Sequence, residues 1–139
     1  IAEYPILAAL MPMVALLGGN SGAQSQAVII RAMAIGDLPP GRAWRAVRRE
    51  FAVGAINGAA MSAMAGLAVA VISPDPEVGV VVAVAVFVSL LVAGLAGAGI
   101  PVIMRRLGLD PALASNIFLT MITDLVGFTG FLLTATLLL

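Results

Sequence analysis

The sequence predicts an all-α membrane protein, a bundle of four transmembrane helices per chain. Three observations predict it. Of 139 residues, 62% are hydrophobic and 10% are charged, whereas soluble domains carry about 25% charged residues. The charge-free runs Tyr4–Ile30, Phe51–Pro74 and Val78–Met104 each exceed the ~20 residues that cross a bilayer as helix. None of these runs alternates polar and apolar residues as the strands of a membrane barrel do. A fourth apolar stretch, Pro111 to Leu139, holds a single charged residue, Asp124.

Composition also excludes several functions. The net charge is zero, so no global field draws nucleic acid to the chain. Cys and His are absent, which removes thiolate and imidazole metal sites, disulfides, Cys nucleophiles and His bases. Any bound metal is therefore hard and oxygen-ligated. The first run is too long for a cleavable signal, and Glu3 precedes it where such signals carry basic residues. The chain opens almost directly in apolar sequence, which suggests a piece of a longer protein.

Segment one spans about 4–34. It carries Pro5 and Pro12, then Gly18-Gly19-Asn20-Ser21-Gly22-Ala23-Gln24-Ser25-Gln26. Small and amide residues in such a row have two readings. One is a broken or pore-facing helix whose backbone and amide oxygens turn to a watery path, because freed polar groups at membrane depth need protein or water around them. The other is close helix packing through Gly18 and Gly22, a GxxxG pair. Asn20, Gln24, Ser25 and Gln26 exceed what packing needs and favour the first.

The connection over 37–50 breaks at Pro39-Pro40-Gly41. Arg42, Arg45 and Arg49 then recur at helical spacing around Trp44. This reads as a short amphipathic helix along the headgroups; a solvated loop explains the arginines nearly as well. Segment two spans about 51–72, with Gly54, Gly58, Ser62 and Gly66 four apart on one narrow packing face. Asn57 offers an interhelical hydrogen bond. The acidic turn Ser73-Pro74-Asp75-Pro76-Glu77 leads to segment three, about 78–104, whose Gly94, Gly97 and Gly99 serve packing.

Asp110 is an N-cap candidate with Pro111 at the first helical position. Segment four spans about 111–136. Asn116, Thr120 and Asp124 fall four apart, and each step of four drifts only about 40° round a helix, so the three form one polar stripe flanked by Thr123 and Gly127. A carboxylate at membrane depth costs about 2.5–3.5 kcal/mol on insertion scales, and it ordinarily faces a bundle interior or a watery path. Interhelical hydrogen bonding would suit Asn116 and Thr120 but suits Asp124 badly.

Loops 31–50 and 104–110 are basic, and loop 73–77 is acidic. The positive-inside rule places the first two in the cytoplasm, so the chain starts and ends outside a plasma (inner) membrane that it crosses four times.

At Gly18-Gly19-Asn20-Ser21-Gly22-Ala23-Gln24-Ser25 the sequence resembles the MgtE family of magnesium channels. The likeness continues through Arg31-Ala32, through Arg48-Arg49-Glu50, and through Arg105-Arg106-Leu107-Gly108-Leu109-Asp110-Pro111-Ala112. It ends in the Asn116, Thr123-Asp124 and Gly127 pattern, so it covers nearly the whole chain. The resemblance implies a five-helix membrane domain acting as a homodimer, with Mg2+ passing along the dimer axis between two helices that correspond to segments one and four. Mn2+ and other divalent cations are alternative cargo. It places the key pore carboxylate at Asp124, carbonyl positions at or near Asn116 and Thr120, and the pore asparagine at Asn20. Gly19, Ser21, Gln24, Thr123 and Gly127 then line the path. The family's first helix and its cytoplasmic regulatory domains have no counterpart in this chain.

Two other readings stay open. A cation-coupled secondary transporter would use Asp124 as a proton or sodium site. A non-conducting subunit would use its small-residue faces to pack against other helices and would need no membrane carboxylate.

Overall fold

The structure, a computed structural model, describes residues 4–139; Glu3 lies outside them. The described residues form four long helices and no strand: α1 (Pro5–Ala34), α2 (Ala43–Ile72), α3 (Glu77–Arg106) and α4 (Pro111–Leu138). A short 3-10 turn, Pro40–Arg42, leads into α2. All four helices are long and apolar enough to cross a membrane. At 1.5 Å per residue, 30 residues span about 45 Å, against about 30 Å of hydrocarbon, so the helix ends reach the headgroups.

The ends of α1 and α3 are marked by glycines. Gly36 and Gly108 are the positive-φ residues, at 79° and 74°. At the end of α3, Gly108 N–H donates to the Arg105 carbonyl at 3.2 Å and Leu109 N–H to the Met104 carbonyl at 2.9 Å. This pairing satisfies carbonyls that the last turn would leave free, and glycine adopts the required left-handed backbone without strain. At the other end of the loop, the Asp110 carboxylate accepts from Ala112 N–H at 2.9 Å, with Pro111 in the first turn. The expected N-cap is present.

α3 is the centre of the bundle. It packs against α1, α2 and α4, while α1 and α2 scarcely touch each other. Its buried residues run from Val78 to Met104. Close approach depends on missing side chains. A Cβ on Gly66 would stand 2.7 Å from Ala83 Cβ and 2.8 Å from the Gly79 carbonyl oxygen; one on Gly54 would stand 3.0 Å from the Leu90 carbonyl oxygen. Gly54, Gly58, Ser62 and Gly66 are all buried, as their spacing predicts. Arg105 Nη1 donates to the Leu38 carbonyl at 2.9 Å, tying the two arginine-bearing connections together at one end of the bundle.

Two expectations need correction. Segment one is not broken: α1 is one continuous helix through Gly18-Gly19-Asn20-Ser21-Gly22. Glycine weakens a helix by about 1 kcal/mol relative to alanine, but here its absent side chain admits neighbours. Gly18 lies against Ser89, and a Cβ on Gly22 would stand 3.3 Å from the Ala93 carbonyl oxygen. The arginine-rich stretch is not a separate surface helix. α2 runs unbroken from Ala43, because nothing between Arg49 and Phe51 interrupts a helix.

Candidate functional site

The seam between α1 and α4 positions the polar residues. It is antiparallel, and four contacts fix its register. A Cβ on Gly127 would stand 3.1 Å from Ala15 Cα, one on Gly19 3.9 Å from Thr123 Oγ1, and one on Gly22 2.8 Å from Leu119 Cδ1. Gln26 Nε2 donates to Ser115 Oγ at 2.7 Å. The Ser115 hydroxyl in turn donates to the Pro111 carbonyl. Ser115, Leu119, Thr123 and Gly127 are therefore the buried, α1-facing line of α4.

One residue further along an α-helix lies about 100° round its axis. Asn116, Thr120 and Asp124 each follow a member of that buried line, so the stripe sits at the edge of the seam. On α1, Leu16, Asn20, Ala23 and Ala27 follow Ala15, Gly19, Gly22 and Gln26 in the same way. Because the helices are antiparallel, both rotations turn toward the same side. Burial agrees: Asn116 and Thr120 are exposed, Asp124 is half-buried, and Leu16, Asn20, Ala23 and Ala27 are exposed. The seam register puts Asp124 level with Gly18 and places Asn20 between the levels of Thr120 and Asp124. Asn20 and the α4 stripe thus share one open face, whose α1 side is otherwise Leu16 and two alanines.

The threonine hydroxyls on and behind this face are held by the backbone. Thr120 Oγ1 donates to the Asn116 carbonyl at 3.0 Å, so its lone pairs remain available outward. Thr123 Oγ1 donates to the Leu119 carbonyl at 3.0 Å and the Thr120 carbonyl at 3.2 Å. Thr123 and Gly127 face α1, not the open side: Thr123 is 1% exposed, and Gly127 is a close-approach point. Within one chain they set the spacing of α4 on α1. Gly19 is half-buried at the same seam. Ser21 and Gln24 turn the other way and line a cleft toward α2 together with Asn20 and Asn57.

Among the described residues, no three Asp, Glu, His or Cys side chains come together to hold a metal. One chain supplies one carboxylate to the open face, with amide and hydroxyl oxygens beside it. That donor set suits a hard cation that keeps its waters, such as Mg2+, better than one needing a dedicated ligand cage.

Two buried features escaped sequence reading. Gln26 and Ser115 form a hydrogen bond joining α1 to α4, though they lie 89 positions apart. The Ser89 hydroxyl is buried beside Gly18 without a partner among the described residues. Nothing in the local sequence signals either. Gln26, which the sequence counted toward a watery path, is instead buried in the α1–α4 seam.

Known proteins match this chain along most of its length. The family model described as MgtE, divalent cation transporter, matches residues 11–134. The chain is 40% identical over 136 residues to the magnesium transporter MgtE of Thermus thermophilus, covering 96% of this chain and 29% of that protein. It is 34% identical over 125 residues to the magnesium transporter MgtE of Enterococcus faecalis, covering 90% and 28%. With the magnesium transporter MgtE of Bacillus subtilis the identity is 33% over 120 residues, covering 86% and 27%. The chain spans a little over a quarter of the length of these relatives.

Proposed function

This chain belongs to the MgtE family of divalent cation transporters, and from that premise we propose that it forms the membrane path for Mg2+. In this reading two copies meet across a twofold axis on the open face of α1 and α4. Asp124 from each copy provides two negative charges for one divalent ion, and closed symmetry supplies the second carboxylate without further sequence. Asn116, Thr120 and Asn20 accept hydrogen bonds from the ion's waters. Gly19, Thr123 and Gly127 hold α4 against α1 at the spacing that presents the stripe, while Ser21 and Gln24 sit round the helix on the cleft toward α2. The arginine-rich end of the bundle faces the cytoplasm, and Mn2+ is the natural alternative cargo.

The single observation that supports this most is the position of Asp124. It lies on an outward face shared with Asn20, in a helix with no basic residue. A carboxylate facing acyl chains would be costly; one facing its symmetry mate across water and a divalent ion is stabilised.

The test is Mg2+ flux into proteoliposomes carrying the protein or its Asp124→Asn variant. The variant keeps shape and hydrogen-bonding capacity and removes the charge. Flux should fall at least tenfold with helical content unchanged. Full flux in the variant would discard the reading and favour the non-conducting packing subunit.

A further inference from the structure

We infer a second site for a hydrated divalent cation, distinct from the Asp124 face: the cleft between α1 and α2, with Glu50 at its mouth. This rests on the transport reading above and adds a waiting position for the ion.

The cleft follows from the packing. α1 and α2 both lie on α3 but scarcely touch, so a groove runs between them. It has two adjoining parts, of about 300 Å³ and 210 Å³, that share Ser21, Gln24 and Asn57. The first part reaches Asn20, on the edge of the α1–α4 face. The second ends at Glu50 and includes Ser25. Arg48 and Arg49 are exposed and line neither part, so the one charge on the cleft wall is negative.

Depth makes this lining informative. Glu50 lies two turns into α2, about 10 Å from Ala43. An upright α2 centred on about 30 Å of hydrocarbon would project roughly 7 Å at each end, which would bring Glu50 close to the hydrocarbon boundary. Asn57 lies about 10 Å deeper. Asn20, Gln24 and Asn57 are exposed, and carboxamides at that depth need water or protein partners. Water filling the cleft would satisfy them.

The lining is also selective in kind. Its strong acceptors are all oxygens, namely one carboxylate, three carboxamides, and the Ser21 and Ser25 hydroxyls, with the Met61 thioether the one sulfur. Oxygen acceptors around a single negative charge suit a hard cation. Six waters occupy roughly 180 Å³ at about 30 Å³ each, which either part accommodates, so Mg2+ can be held through its hydration shell as it prefers. The continuity with Asn20 gives such an ion a polar route toward the Asp124 face.

The test uses crystals of the protein soaked in Mn2+, with anomalous scattering recorded for the wild type, Glu50→Gln and Asn57→Leu. The expected result is one peak at Asp124 and one in the cleft near Glu50. Either variant should lose the cleft peak and keep the Asp124 peak. In flux assays, Glu50→Gln should raise the half-saturating Mg2+ concentration about tenfold and change the maximal rate less than twofold. A peak at Asp124 with an empty cleft, or a cleft filled by a lipid headgroup or a partner side chain, overturns the inference alone. A cleft peak without one at Asp124 overturns the transport reading and leaves the cleft site standing. Persistence of the cleft peak in Glu50→Gln also rejects the site.

Discussion

Two lines of residues in this bundle share one spacing and have opposite fates. Gly54, Gly58, Ser62 and Gly66 recur every four residues along α2 and are all buried on α3. Asn116, Thr120 and Asp124 recur every four along α4 and stay at the open edge of its seam with α1. Period four places side chains on one face of a helix but does not say what covers that face. Residue size and polarity decide. Small residues let α3 approach until backbone touches backbone, which is how helices associate where lipid is as apolar as the protein. Amide, hydroxyl and carboxylate groups would lose their hydration in such a seam and require partners there. Gln26 and Ser115 enter a seam as a matched pair, whereas Ser62 and Thr123 bond back to their own helix.

The contrast breaks most decisively at Asp124. Asp124→Asn should abolish at least nine-tenths of the flux while leaving thermal stability nearly unchanged, because asparagine keeps the shape and hydrogen-bonding capacity of the side chain. The mirror experiment places a charge in the other line: Ser62→Asp should leave too little folded protein to assay, since a lone carboxylate would be driven into the α2–α3 seam. Recovery of well-folded Ser62→Asp protein would show that this seam is wetter than its packing implies.

Next in size is Gly66→Leu. A Cβ at that position already meets Ala83 and the Gly79 carbonyl, and overpacking of this kind typically costs about 1–3 kcal/mol. The melting temperature should drop by several degrees, with flux per folded molecule retained. An unchanged melting temperature would mean that α2 is free to shift along α3.

Smaller effects sharpen the comparison. Thr120→Val removes an outward hydroxyl whose own proton is taken by the Asn116 carbonyl. Flux should fall severalfold with stability changed by less than about 0.5 kcal/mol, the usual range for surface substitutions. Gln26→Leu breaks a buried pair and should do the reverse. Interhelical hydrogen bonds in membranes average about 0.6 kcal/mol, so chemical denaturation should register a small loss, and flux should stay within about twofold. A large flux defect in Gln26→Leu would move that side chain from the seam into the path.

Much of this was legible before any coordinates. The long uncharged runs, the Asp110–Pro111 helix start, the four-spaced glycines of α2 and the polar stripe of α4 all depend on periodicity within one helix, which the sequence carries directly. The correction at Gly18–Gly22 shows the limit. Glycine is ambiguous by itself, since it serves a broken helix and a tight crossing equally well. α3 resolves the ambiguity by supplying Ser89 and the Ala93 carbonyl at that position. Thr123 and Gly127 show the same limit on the other side of the seam. They neighbour the stripe in sequence, yet the 100° step between successive residues turns them toward α1.

Sequence alone determined that this chain crosses a membrane as helices and that a carboxylate rides on the last of them, because hydrophobicity and helical period are properties of short segments. Tertiary structure decided which helix stands at the centre, which side of the α1–α4 seam remains open, and that Glu50, Gln24 and Asn57 line one cleft. Those outcomes depend on how closely two helices can approach over many turns, which is set jointly by side chains far apart in the chain.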